Sequence, residues 1–353
     1  MMKEEQPLVG VKELARLAGV SIGTIDRVLH DRPGVAAKTK AKVLAVLAEH
    51  DYKPNMIARA LSSRKTKQIV VLIPKDSPES AYWQSPLQGV EKASAEIQPY
   101  SFQIDLRLFD QNERLSFIEQ VEALMEQEFD GLVLAPMFRV ESHPLFTYCD
   151  THAIPYVFLN SDIPNVNNKA YFGPDLFQSG CMAAQLIKYL VQPSDEILLV
   201  HISKEMEMQH HLLRKEEGVL QYMESKGMRQ QLHKLLIRDT DYATIESSLQ
   251  TALSNTAIRL ILVTNSRVSS VARFLEAHNH SDIRLLGFDY LPDNIAYLEK
   301  EVIDFLFCHK PIAQGYQAVM SLFHLLENNH IPEKINYMPI DVISKENYPY
   351  YEN

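Results

Sequence analysis

Between residues 69 and 343 the sequence alternates regularly between strand-like and helix-like segments, and few folds accommodate this pattern. Eight short runs rich in β-branched and other apolar residues are predicted strands: Ile69–Ile73, Phe102–Phe109, Gly131–Ala135, Tyr156–Leu159, Ile197–Val200, Leu232–Ile237, Arg259–Val263 and Arg284–Phe288. Six segments with helical spacing lie between them: Leu87–Ile97, Arg114–Gln127, Leu176–Leu190, Leu212–Lys226, Ile245–Leu253 and Ser269–His278. This alternation predicts an α/β fold with doubly wound parallel sheets.

The number of strands predicts two sheets. With an expected final strand at Met338–Ile343 the count approaches ten, which is too many for one comfortable sheet. The loop Ser161–Lys169, rich in Asp, Pro and Asn, is the predicted point where the chain leaves one sheet and begins another. Because ligands of open parallel sheets bind beyond the carboxyl ends of the strands, two lobes that face each other would form a binding cleft.

The composition fits a globular protein with a sizeable core, since 46% of the 353 residues are hydrophobic and 23% are charged. The apolar runs are far shorter than the roughly 20 residues that cross a bilayer, and the charged N-terminal residues predict no secretory signal. Cys149, Cys181 and Cys308 are widely spaced and form no CxxC pair. We therefore expect no disulfide framework, no structural zinc and a reducing, cytoplasmic location.

The net charge of −10 hides an asymmetry between the two ends of the chain. Residues 1–68 contain 13 Lys and Arg against 7 Asp and Glu, a balance of +6, whereas the remaining residues carry −16. A small basic segment joined to a large acidic one predicts that the first part meets a polyanion. Charge alone does not distinguish nucleic acid from an acidic membrane surface.

The basic segment contains three predicted helices. The first carries Val11, Leu14, Ala15 and Ala18 on one face and is followed by Gly19, and the second runs from Ile22 to Leu29 after the N-cap Ser21. The third runs from about Thr39 to His50, with Val43, Leu44, Val46 and Leu47 turned inward. The arrangement is typical of a helix-turn-helix, whose second helix enters the DNA major groove, although periodicity alone also allows an unrelated three-helix domain.

Three runs of sequence carry a specific resemblance: V-K-E-L-A-R-L-A-G-V-S-x-x-T-I-x-R-V-L, V-A-A-K-T-K-A-K-V and Y-K-P-N-x-I-A-R-A-L. Residues 9–63 resemble the lac-repressor (LacI/GalR-type) family of bacterial transcription regulators almost without a gap. The resemblance implies a homodimeric regulator, most simply a repressor, that reads a pseudo-palindromic operator in double-stranded DNA. It also implies these DNA-binding positions: Ile22, Gly23 and Arg27 at base edges, Ser21 and Thr24 at phosphates, and Asn55, Ala58 and Leu61 in a hinge helix over about residues 55–62. Leu61 would wedge into the minor groove.

Two residues depart from the family pattern. Asp26 stands where a small hydroxyl residue is usual, and His30 stands where Asn is frequent. Asp26 either pairs with Arg27 or Arg32, or accepts a hydrogen bond from a cytosine amino group.

The acidic part resembles the type I periplasmic sugar-binding fold over residues 68–345, and within that group it is more similar to the ribose-binding type. The two resemblances together imply a DNA-binding domain over residues 1–63 and an effector-binding and dimerisation domain over residues 68–353. The expected lobes of the second domain are about 68–162 with 310–335, and about 166–309 with 338–353. No apolar heptads follow the expected final strand, so we expect no tetramerising coiled coil.

The resemblance also implies an effector site at the ends of the predicted strands. Its residues are Tyr82, Trp83, Asn160, Lys215, Tyr242, Asn265, Asp289 and His309. Lys215 replaces the family's clamping arginine, with Arg214 beside it as a substitute, and His309 replaces a common glutamine and would make binding pH-dependent if it titrated. This set favours a monosaccharide, leaves room for a sugar acid or phosphate, and has a nucleobase as the competing ligand class.

The sequence gives little support to catalysis. It contains no GxGxxG, P-loop, GxSxG or HExxH motif, so we expect neither an enzyme nor a bound cofactor. The histidine pairs His210-His211 and His278/His280 lack the carboxylates of a metal site and are interpreted as solvated. The alternative from another class is a sugar-binding transport protein, which the lack of an expected secretory signal disfavours.

Overall fold

The computed structural model describes residues 10–29, 33–50, 66–77, 81–204, 210–255 and 257–353. The chain divides into two compact units, Met1–Ser62 and Ser63–Asn353, called here the head and the body.

Three helices form the described part of the head: α1 (Val11–Ala18), α2 (Ile22–Leu29) and α3 (Ala37–Glu49). Their inward stripes meet in a small core made of Leu14, Ala15, Ala18, Ile25, Val28 and Val43. The predicted bounds of α2 agree with the structure, and α3 begins earlier than expected. The inward orientation predicted for Leu44 is wrong, since this side chain is 48% exposed while its neighbour Val43 takes the core position.

The body contains two sheets of six strands. The first holds β1 (Lys67–Pro74), β2 (Phe102–Phe109), β3 (Gly131–Leu134), β4 (Tyr156–Leu159), β5 (Ala170–Pro174) and β11 (Ile335–Met338), in the order β11-β5-β4-β3-β1-β2. The second holds β6 (Glu196–Ile202), β7 (Leu232–Ile237), β8 (Ile258–Val263), β9 (Arg284–Phe288), β10 (Phe305–Cys308) and β12 (Asp341–Ile343), in the order β12-β10-β9-β8-β6-β7. Neighbouring strands are parallel apart from the antiparallel pair β10–β12.

Helices cover both sheets, which confirms the predicted doubly wound α/β class. Lobe 1, built on the first sheet, contains α4 (Gln84–Ile97), α5 (Arg114–Met125), α6 (Arg139–Thr151) and α12 (Pro311–Asn328). Lobe 2, built on the second, contains α7 (Leu176–Leu190), α8 (His210–Ser225), α9 (Tyr242–Ala252), α10 (Val268–Ala277) and α11 (Pro292–Glu299). The inner strands β3 and β4 are buried on both faces, as their continuous apolar sequences require.

The chain leaves lobe 1 later than the sequence led us to expect. Residues Ala170–Phe172 pair with Val157–Leu159, so β5 belongs to the first sheet and lobe 1 continues to Pro174 rather than ending near residue 162. The link 160–169 joins two adjacent parallel strands without a crossover helix. Because parallel neighbours are usually joined by a helix, this loop was predicted to lead from the first sheet to the second.

The expected final strand Met338–Ile343 is also divided between the sheets. Its first part ends β11 in lobe 1, and its last part forms β12 in lobe 2. Pro339 lies at the break and has no N–H to continue a ladder. The chain therefore crosses between the lobes here, after its earlier crossings that follow β5 and β10.

In each lobe, two helices cross at a pair of glycines: Gly89 and Gly315 join α4 to α12, and Gly180 and Gly218 join α7 to α8. A Cβ atom at any of the four would lie 2.0–2.1 Å from a carbonyl oxygen of the partner helix, and at Gly180 that oxygen belongs to Lys215. Only glycine permits such backbone contact. These crossings fix the helices that enter the space between the lobes.

Within the described ranges, no helix has the length and apolar character needed to cross a membrane. The same residues include no group of three or more His, Cys, Asp or Glu side chains placed to hold a metal ion.

Candidate functional site

The turn between α1 and α2 presents the start of α2 on the head surface. Gly19 ends α1 in the left-handed conformation (φ 62°), and its N–H donates to the carbonyls of Ala15 and Arg16. The Ser21 hydroxyl then caps α2 by accepting from the Thr24 N–H at 3.2 Å. Local sequence chemistry thus determines both the turn and the first residue of the second helix.

The exposed face of α2 carries the residues predicted to contact DNA. Ser21, Ile22, Gly23 and Arg27 are exposed, with Ile22 48% accessible, and Thr24 is half-buried on the same side. An exposed isoleucine beside an exposed arginine, on a helix whose other side is buried, leaves an apolar and a cationic group available to a partner. The other predicted DNA-binding residues, Asn55, Ala58 and Leu61, lie outside the described residues, as do His30 and Arg32.

The body contains a cavity between its two lobes, with about 630 Å³ of space that is partly continuous with solvent. Its lining is mostly polar and comes from both lobes: Tyr82, Trp83, Gln111, Met137, Asn160 and Pro174 from lobe 1, and Leu176, His211, Lys215, Asn265, Ser266, Arg267, Asp289 and His309 from lobe 2. The carboxyl ends of both sheets contribute, because residues directly after β4, β9 and β10 are among them.

Two cavity residues have left-handed backbones, with φ of 66° at Asn160 and 75° at Asp289. Asn and Asp tolerate this region better than other non-glycine residues. The neighbouring strands hold both turns: the Asn160 N–H donates to the Phe172 carbonyl at 2.9 Å, and the Asp289 N–H donates to the Phe307 carbonyl at 3.0 Å. Strain of this kind costs about 1–3 kcal/mol per residue and is retained where it directs a side chain into a site.

Lobe 1 supplies the aromatic side of the cavity. The Tyr82 and Trp83 rings pack edge to face with centroids 5.3 Å apart, and Trp83 is buried. The Asn160 amide donates to the Tyr82 hydroxyl, which fixes the ring beside the cavity. An aromatic face next to an amide suits a ring that has C–H groups on its faces and hydroxyls at its edge.

Lobe 2 supplies most of the polar groups, and its backbone orients them. The Lys215 ammonium donates to the Thr264 carbonyl at 3.1 Å and lies 3.9 Å from the Phe288 ring centroid. The Asn265 amide and the Arg267 guanidinium both donate to the Ile202 carbonyl, at 2.6 and 3.1 Å.

His309 completes the polar wall of lobe 2. Its Nε2 lies 3.0 Å from the Ser179 hydroxyl, and its ring stacks on Phe288. These contacts hold the polar side chains in place before any ligand arrives.

Burial sets the charges of the cavity. It raises the pKa of Asp289 to about 6, a rise that the Lys215 ammonium limits. It lowers the pKa of Lys215 to about 8, with Asp289 opposing the change. Burial and then Lys215 hold the pKa of His309 well below its ordinary value, so this imidazole stays neutral and is not the expected source of pH dependence. At pH 7 the cavity therefore holds the Asp289 carboxylate and the Lys215 ammonium, together with the Arg267 guanidinium.

The cavity contains seven of the eight residues expected in the effector site: Tyr82, Trp83, Asn160, Lys215, Asn265, Asp289 and His309. The eighth, Tyr242, lies elsewhere, because Asp241 caps α9 and Tyr242 then packs its ring 3.7 Å from the Arg273 guanidinium. Arg214, considered as a substitute for Lys215, instead pairs with Glu217 outside the cavity.

Sequence reasoning missed several residues that line the cavity. His211, interpreted as solvated, lies in the lining, and so do Arg267 and Gln111. Gln111 follows β2 by two positions, and Arg267 follows Asn265 by two. Extending the search beyond the first residue after each strand would have found both, whereas nothing in the local sequence distinguishes His211 from its neighbour His210.

Comparison with known proteins assigns the two units separately. The family model for bacterial regulatory proteins of the lacI family matches residues 11–55, and that for a periplasmic binding protein domain matches residues 70–330. A crystal structure of a protein from Bacteroides fragilis, assigned to the LacI transcriptional regulators, has a TM-score of 0.76 at 25% identity and covers 82% of this chain and all of that one.

Two curated relatives support the same grouping. The HTH-type transcriptional regulator MalR of Streptococcus pneumoniae serotype 4 is 31% identical over 169 residues, which are 45% of this chain and 49% of the relative. Catabolite control protein A of Streptococcus mutans is 30% identical over 125 residues, 35% of this chain and 36% of the relative. The matched regions thus span half or less of these relatives. Taken together with the two-unit fold, the matches show that the chain belongs to the proteins with a periplasmic binding protein domain, over residues 70–330, and carries a lacI-family domain of bacterial regulatory proteins over residues 11–55.

Proposed function

We propose that this protein is a cytoplasmic, homodimeric transcription regulator, most simply a repressor, whose affinity for operator DNA is controlled by a small effector. The observation that carries the proposal is the cavity between the lobes, where two aromatic rings, three amides, a carboxylate, an ammonium and a guanidinium converge. The exposed face of α2 supports the DNA-binding half of the proposal. Family membership supports the combination of the two.

The most suitable effector is a monosaccharide or a sugar derivative. The Asp289 carboxylate accepts hydrogen bonds from ring hydroxyls, while Lys215 and the amide of Asn265 donate to hydroxyl or ring oxygens. The aromatic pair Tyr82 and Trp83 lies against the apolar face of the ring. A nucleobase would use the same aromatic faces but offers fewer hydroxyl donors to the carboxylate.

The proposed mechanism links two binding equilibria. The effector contacts both lobes, so it favours the arrangement in which they close on it. Closure of the lobes on the effector changes the spacing of the paired heads in the dimer. Operator affinity changes as a result. Linkage requires that operator DNA change effector affinity by the same factor.

The test begins with the full-length chain and random-sequence DNA. Repeated selection should enrich a pseudo-palindromic operator. A panel of D-ribose, D-glucose, D-glucuronate, D-glucose 6-phosphate, myo-inositol and adenine is then screened by thermal shift and for a change in operator affinity. A ligand at 100 times its dissociation constant adds about 2.7 kcal/mol to stability, which gives a clear rise in melting temperature.

Two variants make the screen specific to the cavity. Asp289→Asn should lose the thermal shift, whereas Asp293→Asn, which changes an exposed carboxylate at the start of α11, should keep it. Failure to enrich any DNA sequence would refute the regulator, and an equal thermal shift in both variants would refute the cavity as the effector site. A shift with adenine and with none of the sugars would replace the sugar by a nucleobase.

A further inference from the structure

A chain of polar contacts joins the Lys215 side chain to the sheet beneath it. The Lys215 ammonium donates to the Thr264 carbonyl at 3.1 Å, and the Thr264 hydroxyl lies 2.7 Å from His201 Nδ1. His201 Nε2 in turn lies 3.1 Å from a carboxylate oxygen of Glu216, the residue that follows Lys215 on α8. The contacts therefore close a ring, called here the Lys215 ring and made of Lys215, Thr264, His201 and Glu216.

The ring lies where apolar packing would be the simpler solution. Ile197, Leu199 and His201 alternate along β6 and so share one face, and the first two pack in the core beneath α7 and α8. His201 continues this strip with an imidazole that is fully buried. Burying an ion pair is often no more stable than packing apolar side chains of similar volume, and in some proteins buried polar groups determine a unique arrangement instead.

A second cation fixes the outer side of the ring. The Lys234 ammonium, on the neighbouring strand β7, donates to both carboxylate oxygens of Glu216 at 2.7 and 2.8 Å. Glu216 thus lies between a buried imidazole, whose Nε2 approaches it without forming a hydrogen bond, and a half-exposed ammonium that donates to both of its oxygens, on two adjacent strands. Glu216 is the immediate neighbour of Lys215 on α8. Its contacts with His201 and Lys234 therefore constrain the rotation of α8 at the point where Lys215 enters the cavity.

We propose that Glu216 and His201 are positioning residues for Lys215, and that they hold its ammonium against the Thr264 carbonyl at the place where the effector would meet it. That the effector meets the Lys215 ammonium at this place rests on the proposed function. Neither Glu216 nor His201 lines the cavity, so their action on an effector is through Lys215.

The pKa of Lys215 reports directly on the position of its ammonium, because the charges around the Lys215 ring and the burial of the ammonium determine it. On the cavity side, Lys215 faces Asp289 and His309, and Arg267 and His211 line the same space. Burial holds the pKa of Lys215 at about 8, and Asp289 opposes this decrease. An ammonium released from the Thr264 carbonyl would reach water, and its pKa would rise toward the ordinary value of 10.5.

On the far side of the ring, Glu216 is ionised throughout the useful pH range. Its interaction with His201, followed by that with Lys234, holds the pKa of the Glu216 carboxyl at about 2. A measured change in Lys215 therefore cannot come from titration of Glu216.

The experiment measures the pKa of Lys215 directly by NMR in the full chain, with lysine carrying ¹³C at Cε and no ligand added. Lys215→Gln assigns the signal by its disappearance. In Glu216→Gln the pKa of Lys215 should rise by at least about 1, because the amide keeps the shape of the side chain but no longer binds Lys234 as a carboxylate does, and the released Lys215 ammonium gains water. Loss of a nearby negative charge would by itself lower the pKa of Lys215, so a rise reports release of the side chain. The matched control is Glu217→Gln, which removes the next carboxylate along α8, an exposed group paired with Arg214.

His201→Gln should raise the pKa of Lys215 in the same way. This second variant keeps the test available if Glu216→Gln fails to fold. A pKa that stays at about 8 in the folded variants overturns the proposal, and so does an equal rise in Glu217→Gln. A general loss of stability would lower the melting temperature without moving the Lys215 titration. Since neither effector nor DNA is used, failure of the proposed function in its own test would leave this result interpretable.

Discussion

Effector affinity is expected to be highest between about pH 6 and pH 8 and to fall on either side. The lower limit comes from Asp289, whose pKa burial raises to about 6, so the carboxylate that accepts effector hydroxyls is lost as the pH falls below that value. The upper limit comes from Lys215, whose pKa burial lowers to about 8, so its charge is lost as the pH rises further. Each pH unit beyond a limit removes about nine-tenths of the competent form, and affinity should be about tenfold weaker at pH 5 and at pH 9.

The assay is calorimetric titration of the effector found in the panel screen into the full chain, at half-unit steps from pH 5 to pH 9. Asp289→Asn should remove the decline below pH 6 together with most of the affinity, and Lys215→Met should remove the decline above pH 8. Loss of two charge-assisted hydrogen bonds at Asp289, at about 1.5–3 kcal/mol each, weakens binding by roughly two to four orders of magnitude. An affinity that stays constant from pH 5 to pH 9 would refute the assignment of both charged groups.

Three further changes test other parts of the structure. Gly180→Ala would place a Cβ atom 2.0 Å from the Lys215 carbonyl oxygen and should destabilise the body by about 1–3 kcal/mol or more in urea unfolding. The control Gly131→Ala should destabilise it less, because its Cβ would meet leucine methyl groups at 3.3 Å or more. Equal effects would argue against a tight α7–α8 crossing. Arg27→Ala should lower the preference for selected operator over random DNA by about 1–3 kcal/mol in competition binding, and equal weakening of both would make Arg27 a phosphate contact. Tyr242→Ala should leave effector affinity unchanged in calorimetry, since its ring packs on Arg273; a loss of affinity would return it to the site.

The core strands were predictable from the sequence because strands buried on both faces consist of consecutive apolar residues. Runs such as Tyr156–Leu159 are apolar at every position, and a strand buried on both faces requires that pattern. The α2 start was predictable for a similar reason, since Gly19 and Ser21 form the turn and the cap through their own side-chain and backbone chemistry.

What the sequence could not predict depends on pairing between distant segments. The assignment of β5 to lobe 1 is decided by its hydrogen bonds to β4, and no residue in the 160–169 loop encodes that partner. Helix α6 was missed because Pro144 lies inside it, where proline has no N–H for the intrahelical hydrogen bond and is not expected. The positions of Tyr242 and Arg267 depend in the same way on packing of loops at the strand ends rather than on the residue types themselves.

Coupling between the cavity and the DNA-binding head is measured by a complete binding cycle. Effector affinity is measured with and without saturating operator DNA, and operator affinity is measured with and without saturating effector. If the two sites are coupled, the two ratios agree and differ from one, and Asp289→Asn abolishes the response while operator affinity in the absence of effector is retained. Effector that binds the cavity with the same affinity whether or not operator is present would contradict the coupling.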